Sequence, residues 1–166
     1  MIRVCKKTDH DAIFEIINEA AQAYKGVIPQ DRWHEPYMSL EELRAQIEDG
    51  IVFWGLERDG RLFGVMGIQD KGDVTLIRHA YVVSGAQRQG IGKKLLQNLQ
   101  SMTEKPILIG TWTAASWAVS FYQKNGYKLV SEKEKNRLLR KYWSLPHRQF
   151  ETTLLLDNTT YSQTRF

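Results

Sequence analysis

Three apolar runs follow one another through the middle of this chain, over residues 51–57, 62–68 and 74–83. The first two are joined by Arg58-Asp59-Gly60-Arg61, and Asp-Gly between apolar runs is a strong hairpin signal because both turn residues tolerate a left-handed backbone. Lys71-Gly72-Asp73 marks the next turn. Three antiparallel strands in series are therefore predicted, and they rule out a strict βαβ repeat and a doubly wound dinucleotide fold. Around them, residues 2–6 read as a strand. Asp9 precedes a helix over 11–24, where Ile13, Ile16, Ile17, Ala20 and Ala21 share one face. Gly26, Pro29 and Pro36 break 26–38 into a loop, and Ser39 with Glu42 forms a capping box for a helix to about 48. Beyond the strands come a helix over 92–102, a strand over 106–112, a helix over 116–124 stopped by Asn125-Gly126, and a strand over 127–130. A charged helix over 134–143, ended by Pro146, and a strand over 150–156 follow, with a polar tail over 157–166. The fold class is α/β (α+β): one domain over 1–156 with a mixed, mostly antiparallel central sheet flanked by helices.

Composition narrows the function classes. A length of 166 residues with 42% apolar and 25% charged side chains suits one globular domain, and no apolar run approaches the roughly 18 residues of a membrane span. The single cysteine, Cys5, cannot form an internal disulfide or a cysteine-rich zinc site, so no metal is expected. A reducing, cytoplasmic setting is expected. The net charge of +4 hides an asymmetry: residues 1–86 carry 10 basic against 14 acidic side chains, and residues 87–166 carry 13 against 5. No aromatic-basic recognition motif accompanies the basic half, so nucleic acid is not an expected partner.

The segment Gln87-Arg88-Gln89-Gly90-Ile91-Gly92-Lys93-Lys94 lies between a strand and a helix. Its glycines permit a tight turn and close approach to a ligand. The free N–H groups and dipole of the following helix form an anion site suited to phosphate. A Walker loop needs wider glycine spacing, and a dinucleotide fingerprint needs a third glycine where this chain has Leu95.

With this motif the chain resembles the GNAT superfamily of acetyl-CoA-dependent N-acetyltransferases. That family's pyrophosphate motif, Gln/Arg-x-x-Gly-x-Gly/Ala, is matched by Gln87, Gly90 and Gly92. The preceding Ala80-Tyr81-Val82 is similar to the end of its fourth strand. Phe121-Tyr122-Gln123-Lys124-Asn125-Gly126-Tyr127, about 30 residues on, looks like its Phe-Tyr-x-Lys-x-Gly-Phe/Tyr segment. The resemblance implies a GNAT-like acyl-CoA N-acyltransferase fold with acetyl-CoA as cosubstrate. Backbone from Arg88 through Gln89, Gly90, Ile91 and Gly92 to Lys93 would hold the pyrophosphate. Backbone near Val82 would hold the acetyl carbonyl, and Tyr122 would protonate the departing thiolate. The expected reaction is direct attack by a primary amine, on a small molecule or a peptide, in a ternary complex. Homodimers are common in that family, so a dimer stays open.

The chain also departs from the family pattern. Ala115 stands where the family often has an Asn near the pantetheine. The strand slots that usually carry the base fall on Leu76 and Arg78. Arg78 is suited to a carboxylate on the acceptor. His79 should face the other side of the sheet by strand alternation. The proton would leave along a water chain, or His34 or Glu35 would reach in from the 26–38 loop, where Trp33, His34, Glu35 and Tyr37 form a polar-aromatic cluster. That loop lies in the acidic half, which would favour a cationic amine; an acceptor bearing both an amine and a carboxylate satisfies both clues. The 134–143 helix could cover the cleft, bind an anion, form a dimer contact or simply lie on the core with a basic outer face. The missing base keeps one alternative open, a non-catalytic acyl-CoA-binding or sensor domain.

Overall fold

The computed structural model describes residues 1–145 and 147–158. Strand β1 (Ile2–Val4) leads into helix α1 (His10–Ala20), and α2 (Leu40–Glu48) follows an irregular loop. Strands β2 (Val52–Arg58), β3 (Arg61–Asp70) and β4 (Thr75–Val82) come next, then α3 (Ile91–Gln100), β5 (Ile107–Trp112) and α4 (Ser116–Lys124). The described chain ends with β6 (Tyr127–Leu129), α5 (Glu132–Tyr142) and β7 (Thr153–Asn158). These form one sheet in the order β1-β2-β3-β4-β5-β7-β6, antiparallel except where β4 meets β5. The expected mixed, mostly antiparallel sheet flanked by helices is what the chain forms. At the β2–β3 hairpin, Asp59 and Gly60 both take positive φ, 52° and 76°, as a two-residue turn requires.

Adjacent residues on a strand face opposite ways, and this sorts the helices into two layers. Met66, Ile77, Ile109 and Leu156 pack with α3 and α4. Their neighbours Val65, Leu76, Leu108 and Leu155 pack on the opposite face, the first with α1 and α2, the others with α5. Helix α3 buries Ile91, Leu95, Leu96 and Leu99 almost completely, at roughly 2 kcal/mol each. Helix α5 buries Lys135, Leu138, Leu139 and Tyr142 at i, i+3, i+4 and i+7. Lys135 is thus removed from the basic outer face, and its Nζ donates to the Phe150 carbonyl at 2.7 Å. Helix α5 begins two residues earlier than expected because Ser131 caps it, its Oγ accepting from the Glu134 N–H at 3.2 Å. Ser131 and Glu134 stand at capping-box spacing, a signal legible in the sequence.

Two further local expectations change. The segment read as a tail begins inside the sheet, because β7 runs through Asn158 and Asp157 is only 1% exposed. The remainder of that tail, 159–166, and the helix-ending Pro146 lie outside the described residues. Asp9 does not cap α1 with its side chain. Its carboxylate accepts instead from Arg3 at 2.8 and 3.0 Å and from the Lys6 N–H at 2.6 Å. Arg3 also bonds Glu57 at 2.7 Å, tying β1 to β2.

The Arg3 hydrogen bonds lower the Asp9 carboxyl from 3.8 to about 2. A carboxyl with a depressed folded-state pKa stabilises the protein fully above its unfolded value and loses that contribution as pH falls toward the folded one. Stability is therefore expected to drop by about 2 kcal/mol between about pH 4 and pH 2 from this group alone. Chemical-denaturation curves across that range should show a shallower acid limb for Asp9→Asn; an unchanged limb would remove the Arg3–Asp9 pair from the account.

One irregularity shapes the rest of the molecule. Strands β3 and β4 are in register up to Gly67↔Arg78 and resume at Val65↔Tyr81, so His79 and Ala80 oppose the single residue Met66. This is a β-bulge, and His79 carries it with φ 56°. Strand β4 pairs with β5 only over Thr75↔Ile107, Leu76↔Leu108 and Ile77↔Ile109. Beyond Ile77 and Ile109 the two strands no longer pair, although β4 continues to Val82 and β5 to Trp112.

Candidate active site

The loop after β4 turns through a short 3-10 segment, Ser84–Ala86, closed by the Ala86 N–H to the Val83 carbonyl at 2.8 Å. Gly90 then takes φ 78° and ψ 10°, a left-handed conformation that releases the chain into α3. The first turn of any helix leaves N–H groups without intrahelical partners, and here that end opens on a cleft of about 630 Å³. Gln87, Arg88, Gly90, Ile91, Gly92 and Lys93 all line it, as does Val82. A side chain at Gly92 would press on the Phe121 ring, 3.3 Å from its added Cβ, so glycine keeps the helix close to α4. Gln89 is placed differently from its neighbours, its Oε1 accepting from Arg58 Nη1 at 2.8 Å outside the cleft. The site fits a diphosphate-bearing ligand: backbone donors at a helix N-terminus, basic Arg88 and Lys93, and an open channel running from them.

A second cavity of about 210 Å³ lies where β4 and β5 diverge. Tyr24, Ala80, Tyr81, Ala118 and Tyr122 line both cavities, which therefore meet across the gap. Tyr122 is 6% exposed and sits edge-on to Phe121 and Tyr127, with centroids at 5.1 and 6.1 Å. Burial raises its pKa well above the ordinary tyrosine value, so the phenol is a donor throughout the neutral range. Ala115, which departs from the Asn of the family pattern, is fully buried at the start of α4.

Of the acceptor-side candidates, the structure brings Tyr37 and Arg78 to the second cavity. Tyr37 Oη accepts from Trp112 Nε1 at 2.8 Å, and its ring lies 5.4 Å from that of Tyr24. Trp33 and His34 stack on Tyr37 at 5.9 and 6.3 Å and support it from outside the cavity lining. His34 Nδ1 is 2.8 Å from the Pro36 carbonyl. Glu35 is exposed and faces Lys25 at 3.8 Å, so neither His34 nor Glu35 reaches in from the loop. Sequence reasoning missed Tyr24, Trp112 and Trp143 as cavity walls. Trp143 packs its indole on Gly110 of β5. Each ends a helix or strand, where periodicity stops being informative.

The expected facing of His79 is corrected by the bulge. Its Nε2 bonds Gln46 Oε1 on α2 and its ring stacks on Phe53 at 6.1 Å. Arg78 reaches Gln69, whose amide bonds the Asp49 carbonyl at the end of α2 at 3.1 Å, so the two neighbours serve the same face. Burial, with the Arg78 charge, lowers the His79 pKa to about 3, which leaves it neutral and a weak base. Leu76, the other usual base slot, is fully buried in the core under α5. Among the described residues no Asp or Glu lines the second cavity. Cys5 lies beyond β1, where burial raises its thiol to about 12. No group of three or more His, Cys, Asp or Glu placed to hold a metal occurs among the described residues, and no helix there is long and apolar enough to cross a membrane.

Comparisons with known proteins agree with this architecture. A family model described as acetyltransferase (GNAT) domain matches residues 17–140. PaiA N-acetyltransferase from Thermoplasma acidophilum, solved with coenzyme A, aligns with a TM-score of 0.71 at 21% identity, over 95% of this chain and 97% of that one. Ribosomal-protein-alanine N-acetyltransferase from Brucella melitensis aligns with a TM-score of 0.66 at 18% identity, over 95% and 98%. N-acetylglutamate synthase from Neisseria gonorrhoeae, solved with coenzyme A and N-acetyl-glutamate, gives 0.63 at 20% identity, over 95% of this chain and 34% of that one. A search of the curated proteins finds no match. The bulged β4, the splayed β4–β5 pair and the glycine loop lie within or beside the matched span, and the chain belongs to the GNAT acetyltransferase family.

Proposed function

We propose that this protein moves an acetyl group from acetyl-CoA to a primary amine by direct attack in a ternary complex. The observation that carries the reading is the meeting of two cavities at Tyr122, one running to the Gly90 loop and the other closed by Tyr37, Arg78 and Trp112. Backbone from Arg88 to Lys93 and the start of α3 would hold the pyrophosphate. Backbone near Val82, past the end of β4–β5 pairing, would polarise the acetyl carbonyl. The amine nitrogen forms its bond to the carbonyl carbon, the carbon–sulfur bond breaks, and Tyr122 donates a proton to the thiolate. Tyr122 regains its proton from solvent.

The amine's own proton leaves to water in this scheme, because no carboxylate among the described residues lines the cavity and His79 is tied to Gln46. The dependence of kcat/KM on pH should then rise with the ionisation of the acceptor amine itself. Its midpoint should move when acceptors of different pKa are compared; a fixed midpoint near neutrality would reveal a base on the protein instead. The reading is tested by calorimetric titration with acetyl-CoA and by thiol release over an amine panel. Turnover supports it, and failure to bind acetyl-CoA overturns it. Binding without turnover on any amine or peptide N-terminus would favour the acyl-CoA-binding or sensor role, for which the missing carboxylate is the one supporting observation.

A further inference from the structure

The second cavity has an unusual charge inventory. Among the described residues Arg78 is the one charged side chain that lines it, and it is partly buried. Its recorded hydrogen bond is one long contact, Nη1 to Gln69 Oε1 at 3.3 Å, out of five N–H donors. No carboxylate lies within ion-pair distance of it among the described residues. Glu42 and Asp49 act on it only at longer range, and desolvation is the larger influence, lowering its pKa. A guanidinium partly removed from water without an ion-pair partner is costly, and a ligand carboxylate would offset that cost with paired N–H donors.

Much of the remaining wall is aromatic, with His79, Thr111 and Thr153 adding polar groups. Tyr24, Tyr37, Trp112, Trp143 and Leu145 surround the space, and Trp143 comes from the end of α5, packed against Gly110. The volume of about 210 Å³ is below the range typical of drug-sized ligands, so the occupant is small. The acidic residues of the first half do not shape this cavity: Glu35 turns to Lys25. A polycationic acceptor would meet Arg78 with no compensating carboxylate among the described lining residues, whereas an acceptor bearing one amine and one carboxylate would not.

Resting on acetyl transfer as the reaction of this site, we infer that the acceptor is a small amino acid-type molecule, a primary amine carrying a carboxylate on an apolar or aromatic body. Arg78 reads the carboxylate, and Trp112 and Trp143 bound the pocket for the body. Arg78 is a positioning and specificity residue, and its contribution appears in acceptor binding rather than in acetyl-CoA binding.

The test uses the full chain with saturating acetyl-CoA and matched acceptors: L-leucine, L-leucinamide and isopentylamine, then L-phenylalanine, its amide and phenethylamine, with spermidine as the polycation. The amino acids should exceed their amides and decarboxylated amines in kcat/KM by about 10- to 100-fold, mainly through KM, as expected for a charge-assisted paired contact. The amide's lower amine pKa works against this outcome, which makes the comparison stringent. Arg78→Gln should bring the ratio near unity while leaving acetyl-CoA affinity unchanged, and Arg78→Lys should keep part of it. Trp143→Ala should shift preference from leucine toward phenylalanine. Equal or better turnover of the amides, or of spermidine, overturns the inference, as does an Arg78→Gln enzyme that still discriminates. Calorimetry with N-acetyl-L-leucine and N-acetyl-L-phenylalanine on the CoA-loaded protein provides a readout without turnover. If acetyl-CoA binds but neither these products nor any panel member does, the carboxylate inference falls, while turnover of another amine or of a peptide N-terminus would keep the transferase reading; if acetyl-CoA does not bind, the transferase reading falls.

Discussion

Gly90→Glu is expected to weaken acetyl-CoA binding by more than about 100-fold, measured by calorimetry, while the protein still folds. Two effects contribute and can be separated. A side chain in the left-handed conformation of Gly90 costs about 1–2 kcal/mol of stability. A Cβ there meets nothing within 4 Å, so no steric conflict with the fold is added. The larger effect is electrostatic. A carboxylate at the N-terminus of α3 occupies the positive end of the helix dipole and repels the diphosphate meant for it. Gly90→Asn supplies the control, since Asn tolerates the left-handed region without adding charge. It should bind acetyl-CoA within about tenfold of the native protein. Native-like affinity of the Glu variant would take the phosphate site away from this loop.

The second large effect is on the chemical step. Tyr122→Phe should lower kcat by about 100-fold or more, within the range for loss of a positioned acid, with KM for acetyl-CoA changed by less than about threefold. The ring keeps its edge-on packing against Phe121 and Tyr127 in the variant. Its burial and melting temperature should therefore be nearly unchanged, and the kinetic loss can be assigned to the hydroxyl. The pH sign follows from the direction of its shift. Burial favours the neutral phenol, so the donor is present at low and neutral pH and is lost only as pH rises past its raised pKa. Tyr122 itself should cause no fall in rate between about pH 6 and 9. A Phe variant with native kcat would remove Tyr122 from proton transfer.

How far the sequence could be read depended on whether the signal was local. Helix α4 spans Ser116–Lys124 as expected, and its Asn-Gly stop is a chain-local feature, with Gly126 taking φ 93° just past the end. The β2–β3 hairpin was legible in Asp59-Gly60, whose backbone angles are those the turn demands. His79 shows the opposite case. Alternation is a sound rule for a regular strand, but two residues of β4 oppose one of β3, and the rule fails at that point. Asp9 looked like a helix cap, yet Arg3, six residues away, competes for its carboxylate and wins with two hydrogen bonds. In the 26–38 loop the residue types were visible, but Tyr37 turns in to Trp112 while Glu35 turns out to Lys25. Nothing in local spacing distinguishes those two directions.

Element order, the glycine loop at the start of α3 and the Phe121-Tyr122 pair follow from patterns spanning a few residues, because backbone conformation and amphipathic periodicity are set by near neighbours. The acceptor cavity belongs to the tertiary level. Its walls come from Tyr24 beyond α1, the 26–38 loop, β4, β5, α4 and the end of α5, and it lies where β4, bulged at His79, no longer pairs with β5. Arg78 is an ordinary arginine in the sequence; it becomes a partly desolvated cation with a single long hydrogen bond only once those distant segments close around it. Desolvation and pairing depend on what the fold brings within a few ångströms, and sequence separation carries no record of that.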